Sequence, residues 1–234
     1  MIFCFWNVRG LNDPLKLKEV KRFLNHNHVH ICGLFETRVK ESRFDIISAK
    51  FGGNWNWATN YSFSRKGRIW IGWRTDYAQC NILSQDSQFI HCSVRDLITS
   101  ELIFVTFVYG LHTVGDRKSL WPSLADIARS VQGPWVCAGD FNAIYAQDHR
   151  QGGNAPSTYE ISDFANAIDD LQIYPVKSIG GNFTWSIMAL LVEYIIFLEI
   201  PYGLTPIVSV WPLFCLEDFL TMLLLHLTLL ICIG

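Results

Sequence analysis

The strongest constraint on this chain is a set of four short apolar runs, far apart in sequence, that each end at a polar residue. An apolar run of four to six residues that stops at a polar or turn residue predicts a buried strand. The fourth run, at 135–138, leads into the sequence Gly-Asp-Phe-Asn. If the four strands lie side by side in one sheet, their polar ends form one cluster at one rim. The polar end residues are Asn7, Glu36, Tyr109 and the pair Asp140 and Asn142.

These residue types suit phosphate chemistry. Asp140 and Asn142 are two positions apart, so their side chains point the same way in extended backbone. Carboxylate and amide oxygens are ligands that Mg²⁺ prefers, and a second carboxylate can orient a water molecule for attack on phosphorus. Amide and phenol donors stabilise the charge of non-bridging phosphate oxygens. Gly-Asp-x-Asn alone is also a common turn, so the prediction depends on all four strand ends together.

Other patterns predict a mixed α/β chain. Half of the residues are apolar and 17% are charged, which favours a large core and argues against disorder. Apolar residues at helical spacing predict amphipathic helices after Pro14 and over 119–131, and a further helix is expected over 38–47. Ser157 and Glu160 form a capping box that predicts a helix start. Short alternating runs between 68 and 109 predict antiparallel strands, at 68–73, 78–83, 89–95 and 102–109.

With these elements placed, the chain resembles the endonuclease/exonuclease/phosphatase superfamily. Within it, the chain is most similar to the endonuclease domain, associated with a reverse transcriptase, of plant non-LTR (LINE-type) retrotransposons. The motifs occur in the order of that family over nearly all of residues 1–186. They are WNVRGLN (6–12), GLFETR (33–38), FVYG (107–110) with RKSLW (117–121), GDFNAI (139–144), RQGG (150–153) and GGNFTWS (180–186).

The resemblance implies a fold, a cofactor and a partner. The fold is a four-layer α/β sandwich of two mixed β-sheets flanked by helices, the cofactor is Mg²⁺ with Mn²⁺ as an alternative, and the partner is DNA. Glu36 and Asn7 would hold the metal, Tyr109 would contact the scissile phosphate, and Asp140 would align or activate the water. Asn142, Thr184 and Arg9 would bind phosphate or DNA. A basic rim of the site would come from several further cations: Arg38, Arg65, Lys66, Arg68, Arg117 and Lys118.

A sharp change in composition divides the chain after residue 186. Residues 1–186 hold all 19 Lys and Arg, whereas 187–234 hold none and four of the 21 acids, so the net charges are about +2 and −4. The family pattern continues after GGNFTWS with an Asp in a basic segment and a terminal Ser-Asp-His, and neither occurs here. We therefore expect a family domain at 1–186, an aberrant tail at 187–234, and a sandwich that is incomplete at its C-terminus.

Back-translation indicates a frameshift as the origin of the tail. Residues 217–224 (EDFLTMLL) can be encoded by GAA GAT TTT CTG ACC ATG CTC CT. Two nucleotides later, the same bases encode Arg-Phe-Ser-Asp-His-Ala-Pro, which contains the missing motif. Residues 198–206 (LEIPYGLTP) can likewise encode Gly-Asn-Ser-Leu-Trp-Phe-Asp-Ser in the same shifted frame.

Three other interpretations of the chain remain open. The tail could be a membrane appendage, but its most apolar run, 219–233, is shorter than the roughly 20 residues of a spanning helix. The chain could be a non-catalytic, degenerate domain, or a phosphatase of the same fold with a membrane-associated tail. Scattered free cysteines and the lack of a signal peptide lead us to expect an intracellular protein, nuclear or cytoplasmic.

Overall fold

The computed structural model describes residues 1–147, 155–171 and 173 in full. It describes only the backbone of further strand segments, at 150–151, 174–175, 185–187, 190–192, 197–199, 205–214 and 221–230.

The first sheet contains the two N-terminal strands of the chain. Strands β1 (Ile2–Asn7) and β2 (Ile31–Phe35) are parallel and are joined by helix α1 (Pro14–His26). After helix α2 (Phe44–Ser48), strands β3 (Trp55–Thr59) and β4 (Ile69–Arg74) extend the sheet on the β2 side. Because β1 and β2 run in the same direction, Asn7 and Phe35 pair at the same end of the sheet, one residue before Glu36.

The second sheet is built around a meander and one parallel strand. Strands β5 (Ala78–Gln85), β6 (Phe89–Asp96) and β7 (Leu102–Tyr109) are antiparallel neighbours. Helices α3 (Val114–Arg117) and α4 (Leu120–Ser130) then lead to β8 (Trp135–Asp140), which runs parallel to β7. Tyr109 consequently pairs with Asp140 at the end of this sheet.

The remaining elements follow β8. They are β9 (Arg150–Gln151), α5 (Thr158–Leu171), β10 (Tyr174–Pro175), β11 (Trp185–Ile187), β12 (Leu190–Val192), β13 (Phe197–Glu199), β14 (Thr205–Phe214) and β15 (Thr221–Leu230). The first sheet has the order β14-β15-β1-β2-β4-β3, the second has the order β10-β13-β8-β7-β6-β5, and β11, β12 and β9 form a small third sheet.

Three apolar clusters fill the spaces between four layers. One contains residues of both sheets, such as Phe5 and Phe107, whose rings are 5.2 Å apart. A second joins the outer face of the first sheet to α1 and includes Leu17 and Trp70. A third joins the outer face of the second sheet to α4 and α5 and includes Leu124. The order helix, sheet, sheet, helix confirms the predicted sandwich of two mixed sheets.

Local sequence signals explain where the main helices begin. The Asp13 carboxylate accepts from the backbone N–H of Leu15, and Pro14 follows it in the first turn of α1. The hydroxyl of Ser157 accepts from Glu160 N, while the Glu160 carboxylate accepts from Ser157 N, as predicted. The helix expected over 38–47 is shorter: residues 38–40 are not helical, Glu41–Arg43 form a single 3-10 turn, and the α-helical part is α2.

The described part of the tail extends both sheets. Strands β14 and β15 form a hairpin beside β1, and β13 pairs with β8. The expected incompleteness at the C-terminus is therefore not seen in the backbone, although the tail strands carry none of the expected motifs. None of the described helices is long and apolar enough to cross a membrane.

Candidate functional site

The four predicted strand ends meet, but they belong to two sheets rather than one. Asn7 and Glu36 come from the first sheet, while Tyr109 and Asp140 come from the second. The condition that all four strands lie side by side in one sheet is not met, because an apolar run indicates burial and does not identify the neighbouring strand. The cluster lies where the ends of the two central parallel pairs face each other.

Hydrogen bonds connect the two halves of the cluster directly. The amide nitrogen of Asn7 donates to Glu36 Oε1 at 3.2 Å and to Asp140 Oδ2 at 2.7 Å. The Tyr109 hydroxyl donates to Glu36 Oε1 at 2.8 Å. The backbone N–H of Asn142 donates to Asp140 Oδ1 at 3.1 Å. The donors of Asn7 therefore separate two carboxylates that would otherwise repel each other.

The backbone at the strand ends is unusual. Six described residues other than glycine have left-handed φ angles, and four of them follow these strand ends: Arg9 (47°), Glu36 (50°), Arg38 (53°) and Asn142 (49°). Such conformations are uncommon for non-glycine residues and cost roughly 1–3 kcal/mol each where they occur. Their grouping at one rim is the pattern expected where backbone strain directs side chains into a functional site.

Glycines allow the ends of β7 and β8 to approach each other. A Cβ atom on Gly110 would lie 2.1 Å from Phe141 O, and one on Gly139 would lie 2.1 Å from Val108 O. Gly139 also has a φ of 145°. The glycines of the Tyr-Gly and Gly-Asp pairs thus have a steric role, since any side chain would separate Tyr109 from Asp140.

Electrostatic effects distinguish the roles of Glu36 and Tyr109. Burial alone would raise the pKa of Glu36, but hydrogen bonds from Tyr109, Asn7 and Arg38 outweigh it and hold the pKa below its ordinary value of 4.5. Burial, and then the negative charge of Glu36, raises the pKa of Tyr109 well above its ordinary value of 10.0. Glu36 is consequently an anion at neutral pH and Tyr109 a hydrogen-bond donor.

Arg117 holds the loops that follow β7 and β8. Its guanidinium donates to the carbonyl oxygens of Leu111 at 2.9 Å and of Asn142 at 2.6 Å, and Arg117 is 2% exposed. It also pairs with Asp163 of α5 at 3.1 Å, and Trp121 Nε1 donates to the other oxygen of Asp163 at 2.9 Å. The prediction that Arg117 contributes to a basic rim was therefore wrong, because this cation is buried and paired.

A basic pocket opens beside Glu36. It has a volume of about 400 Å³ and is lined by Glu36, Arg38, Val39, Lys40, Arg65, Lys66, Arg68, Tyr109 and His112. Four of the cations predicted for the rim thus lie in one place: Arg38, Arg65, Lys66 and Arg68. The Arg68 guanidinium lies 5.1 Å from the centre of the Tyr109 ring, and His112 Nε2 lies 3.3 Å from the Tyr109 hydroxyl.

The other predicted site residues have mixed outcomes. Asn142 uses one amide N–H for the carbonyl of Gly110 at 2.8 Å, which leaves its second N–H for a ligand. Arg9 lies beside the cluster, where its backbone N–H donates to Asn7 Oδ1 at 3.2 Å, and it does not line the basic pocket. Thr184 lies outside the described residues.

A metal at this site would have few protein ligands. Among the described residues, no group of three or more His, Cys, Asp or Glu side chains is placed to hold an ion. Mg²⁺ commonly binds through one or two carboxylates and takes its other ligands from water and substrate phosphate. The oxygens of Glu36 and Asn7 have the chemistry that such an ion requires.

Sequence reasoning missed several residues that position the site. Gln88 is fully buried, and its backbone and side-chain oxygens accept from Tyr109 N at 2.7 Å and Leu111 N at 2.9 Å. Asp163 gave no signal because it is a single acid on a helix 46 positions after Arg117. His112 follows the FVYG motif closely, and this closeness is the one signal that could have identified it.

Comparisons with known proteins agree with this geometry. The family model described as "Endonuclease/Exonuclease/phosphatase family" matches residues 4–187. No match was found among curated proteins.

Solved structures share the fold at low sequence identity. The endonuclease domain of TRAS1, a telomere-specific non-LTR retrotransposon, has a TM-score of 0.72 at 10% identity, over 97% of this chain and 98% of that one. The AP endonuclease LMAP from Leishmania major has a TM-score of 0.71 at 14% identity, over 96% and 86%. D. rerio TDP2 in complex with a single-strand DNA product has a TM-score of 0.66 at 14% identity, over 97% and 98%. The family match, the fold and the two-sheet site together show that this chain belongs to the endonuclease/exonuclease/phosphatase family.

Proposed function

We propose that this chain is a Mg²⁺-dependent phosphodiesterase-type domain of retroelement origin that acts on DNA, and that its catalysis is impaired. The observation that carries the proposal is the hydrogen-bonded cluster of Asn7, Glu36, Tyr109 and Asp140. The family allows several phosphate substrates. DNA is favoured by the motifs shared with plant LINE endonucleases. It is also favoured by two structural neighbours, a retrotransposon endonuclease domain and TDP2 in complex with a DNA product.

Each residue of the cluster has a role that its contacts support. Glu36 and Asn7 would hold Mg²⁺, since Glu36 is an anion at neutral pH and faces the basic pocket. When bound, the ion neutralises charge on the phosphate oxygens and makes the phosphorus easier to attack. Asp140 would orient the attacking water, and Tyr109 and Asn142 would donate to phosphate oxygens.

The impairment follows from the missing terminal motif. A His that is held by an acid would stabilise the phosphate on the open side of this cluster, and one such group contributes about 10²- to 10⁴-fold to rate. His226 does not replace it. The backbone of His226 pairs with Ile2 at the start of β1. The five residues from Ile2 to Asn7 span about 17 Å, so His226 lies at the opposite end of β1 from the cluster.

The register of β15 supports the frameshift. In the shifted frame, the Asp and His codons overlap those of residues 220–222. Met222 pairs with Trp6, the residue before Asn7. The shifted frame would therefore encode the Asp-His pair at the end of β15 that lies next to the site. We also propose that the protein is nuclear or cytoplasmic, since a domain of retroelement origin would encounter its DNA substrate inside the cell.

A plasmid assay tests the proposal. We expect purified 1–234 to show no Mg²⁺-dependent nicking of supercoiled DNA, and a chain translated in the shifted frame after residue 186 to nick it. Glu36→Ala in the shifted-frame chain is the control and should abolish nicking. If 1–234 nicks DNA and Glu36→Ala removes that activity, the proposed impairment is wrong. Coding DNA around codon 186 that cannot yield Ser-Asp-His in the shifted frame would exclude the frameshift.

A further inference from the structure

The basic pocket beside Glu36 has more positive charge than the cluster needs. It is lined by five cationic side chains and one carboxylate: Arg38, Lys40, Arg65, Lys66 and Arg68 against Glu36. Arg38 pairs with Glu36 at 3.3 Å. The other four cations make no ion pair with any carboxylate in the described part of the chain. The pocket therefore has an unbalanced charge that an anionic ligand would neutralise.

Arg68 is the innermost of these cations. Its Nη1 atom is buried and donates no hydrogen bond to any described residue. A buried donor without an acceptor is unfavourable, so such a group calls for an explanation. Its backbone carbonyl accepts from Glu36 N at 2.9 Å, which places Arg68 directly next to the metal end of the cluster.

The pocket lies next to the hydrogen-bonded cluster and contains only part of that cluster. Glu36 and Tyr109 line both, whereas Asn7, Asp140 and Asn142 do not line the pocket. Arg68 lies over the face of the Tyr109 ring, and the Tyr109 hydroxyl points to Glu36 from the edge of that ring. A phosphate between Glu36 and Asp140 would thus leave the Arg68 side of the pocket free for a second anion.

We propose that this pocket binds a second, non-scissile phosphate of a polynucleotide strand, with Arg68 as its innermost ligand. Arg65 and Lys66 extend the same positive surface outward, and both are exposed. A volume of about 400 Å³ lies within the range of small-ligand pockets, about 300–1,000 Å³, and accommodates more than one phosphate. A substrate with a single phosphate, bound between Glu36 and Asp140, would not neutralise the positive charge of this pocket. The inference rests on the proposed function for the class of substrate, but it concerns binding and not catalysis.

A binding experiment without metal separates the subsite from catalysis. The probe is a fluorescent 20-base-pair DNA duplex in EDTA, and the dissociation constant is measured by anisotropy at several salt concentrations. Arg68→Gln should weaken binding about tenfold or more, since a hydrogen bond to a charged group is lost. It should also reduce the slope of log affinity against log salt by about 0.9, the value for one phosphate contact.

A matched variant controls for the loss of one positive charge. Arg22 is exposed on α1, and Arg22→Gln should change affinity less than twofold and leave the salt slope unchanged. If Arg68→Gln fails to fold, the exposed pair Arg65→Gln/Lys66→Gln provides a second test, with a slope reduced by up to about 1.8.

The possible results discriminate between the two proposals. An unchanged salt slope in Arg68→Gln and in the double variant would overturn the subsite, whatever the nicking assay shows. Arg68-dependent duplex binding with no nicking in the shifted-frame chain would support the subsite and contradict the proposed catalysis.

Discussion

The two sheets contribute differently to one site. The half from the second sheet is buried and braced: Tyr109 and Asp140 are 1% and 3% exposed, and the Arg117–Asp163 pair holds the loops beyond them. The half from the first sheet is buried at Asn7, which is 6% exposed, but it opens to solvent at Glu36, whose partner Arg38 has a side chain that is 65% exposed.

This difference predicts which variants should affect the stability of the fold and which should affect ligand binding. Contacts in the second-sheet half are made between buried groups, so their loss leaves unsatisfied polar atoms and should destabilise the fold. In the first-sheet half, the pair of Arg38 with Glu36 is made at the surface, where water replaces a lost partner at little cost. Variants of the exposed cations beside Glu36 should therefore affect mainly ligand binding, and variants of the second-sheet half should affect mainly folding.

The largest expected effect comes from removing the Arg117–Asp163 pair of the second-sheet half. Asp163→Ala removes the partner of a guanidinium whose side chain is 3% exposed, and the buried charge is left uncompensated. The free energy of unfolding should fall by about 3–5 kcal/mol, as measured by urea denaturation. Asp126→Ala is the control, because its pair with Arg129 is 74% and 71% exposed and should be worth at most about 1 kcal/mol. Equal effects of the two variants would contradict the comparison.

A titrating group inside the second sheet should make the fold sensitive to acid. His91 of β6 is 3% exposed, its Nδ1 atom lies 2.8 Å from Thr106 Oγ1 of β7, and Trp135 of β8 donates to the same hydroxyl. Burial lowers the pKa of His91 from 6.5 to about 4. Between these values the unfolded chain binds more protons, so stability should fall as pH decreases from about 6.5 to 4, by up to about 3 kcal/mol. His91→Gln should remove the contribution of His91 to this part of the stability profile, as measured by urea denaturation between pH 4 and 7. A smaller pH dependence should remain, because burial also lowers the pKa of His30 to about 4.

Much of the fold and half of the site could be predicted from sequence because the signals are local. A capping box, a proline in a first turn and an apolar run before a polar residue all act within a few positions. Asn7, Glu36, Tyr109 and Asp140 were identified in this way, and the structure brings them together.

The rest depends on contacts between distant residues. Periodicity does not reveal which strands are neighbours, so the division of the site between two sheets was missed. Arg117 resembles a surface cation until Asp163 is placed beside it. The left-handed backbone of Glu36 is also beyond local reasoning, because non-glycine residues rarely adopt it and the surrounding fold must impose it.

The smallest expected effect comes from removing, one at a time, the two side chains that donate to the Glu36 carboxylate, Tyr109 and Arg38. Glu36 accepts from Tyr109 of the second sheet at 2.8 Å and from Arg38 at 3.3 Å. Tyr109→Phe should lower the free energy of unfolding at pH 7 by about 1–2 kcal/mol, since a buried bond to a charged acceptor is lost. Arg38→Gln should cost less than about 0.5 kcal/mol. Because the pKa of Glu36 is held below 4.5, the stability that Tyr109 provides should be full above that pH and lost as pH falls through the lowered pKa. Urea denaturation of both variants at neutral and acid pH measures these changes in the free energy of unfolding. If Arg38→Gln lowers it as much as Tyr109→Phe does, the two contacts to Glu36 are equally buried in solution.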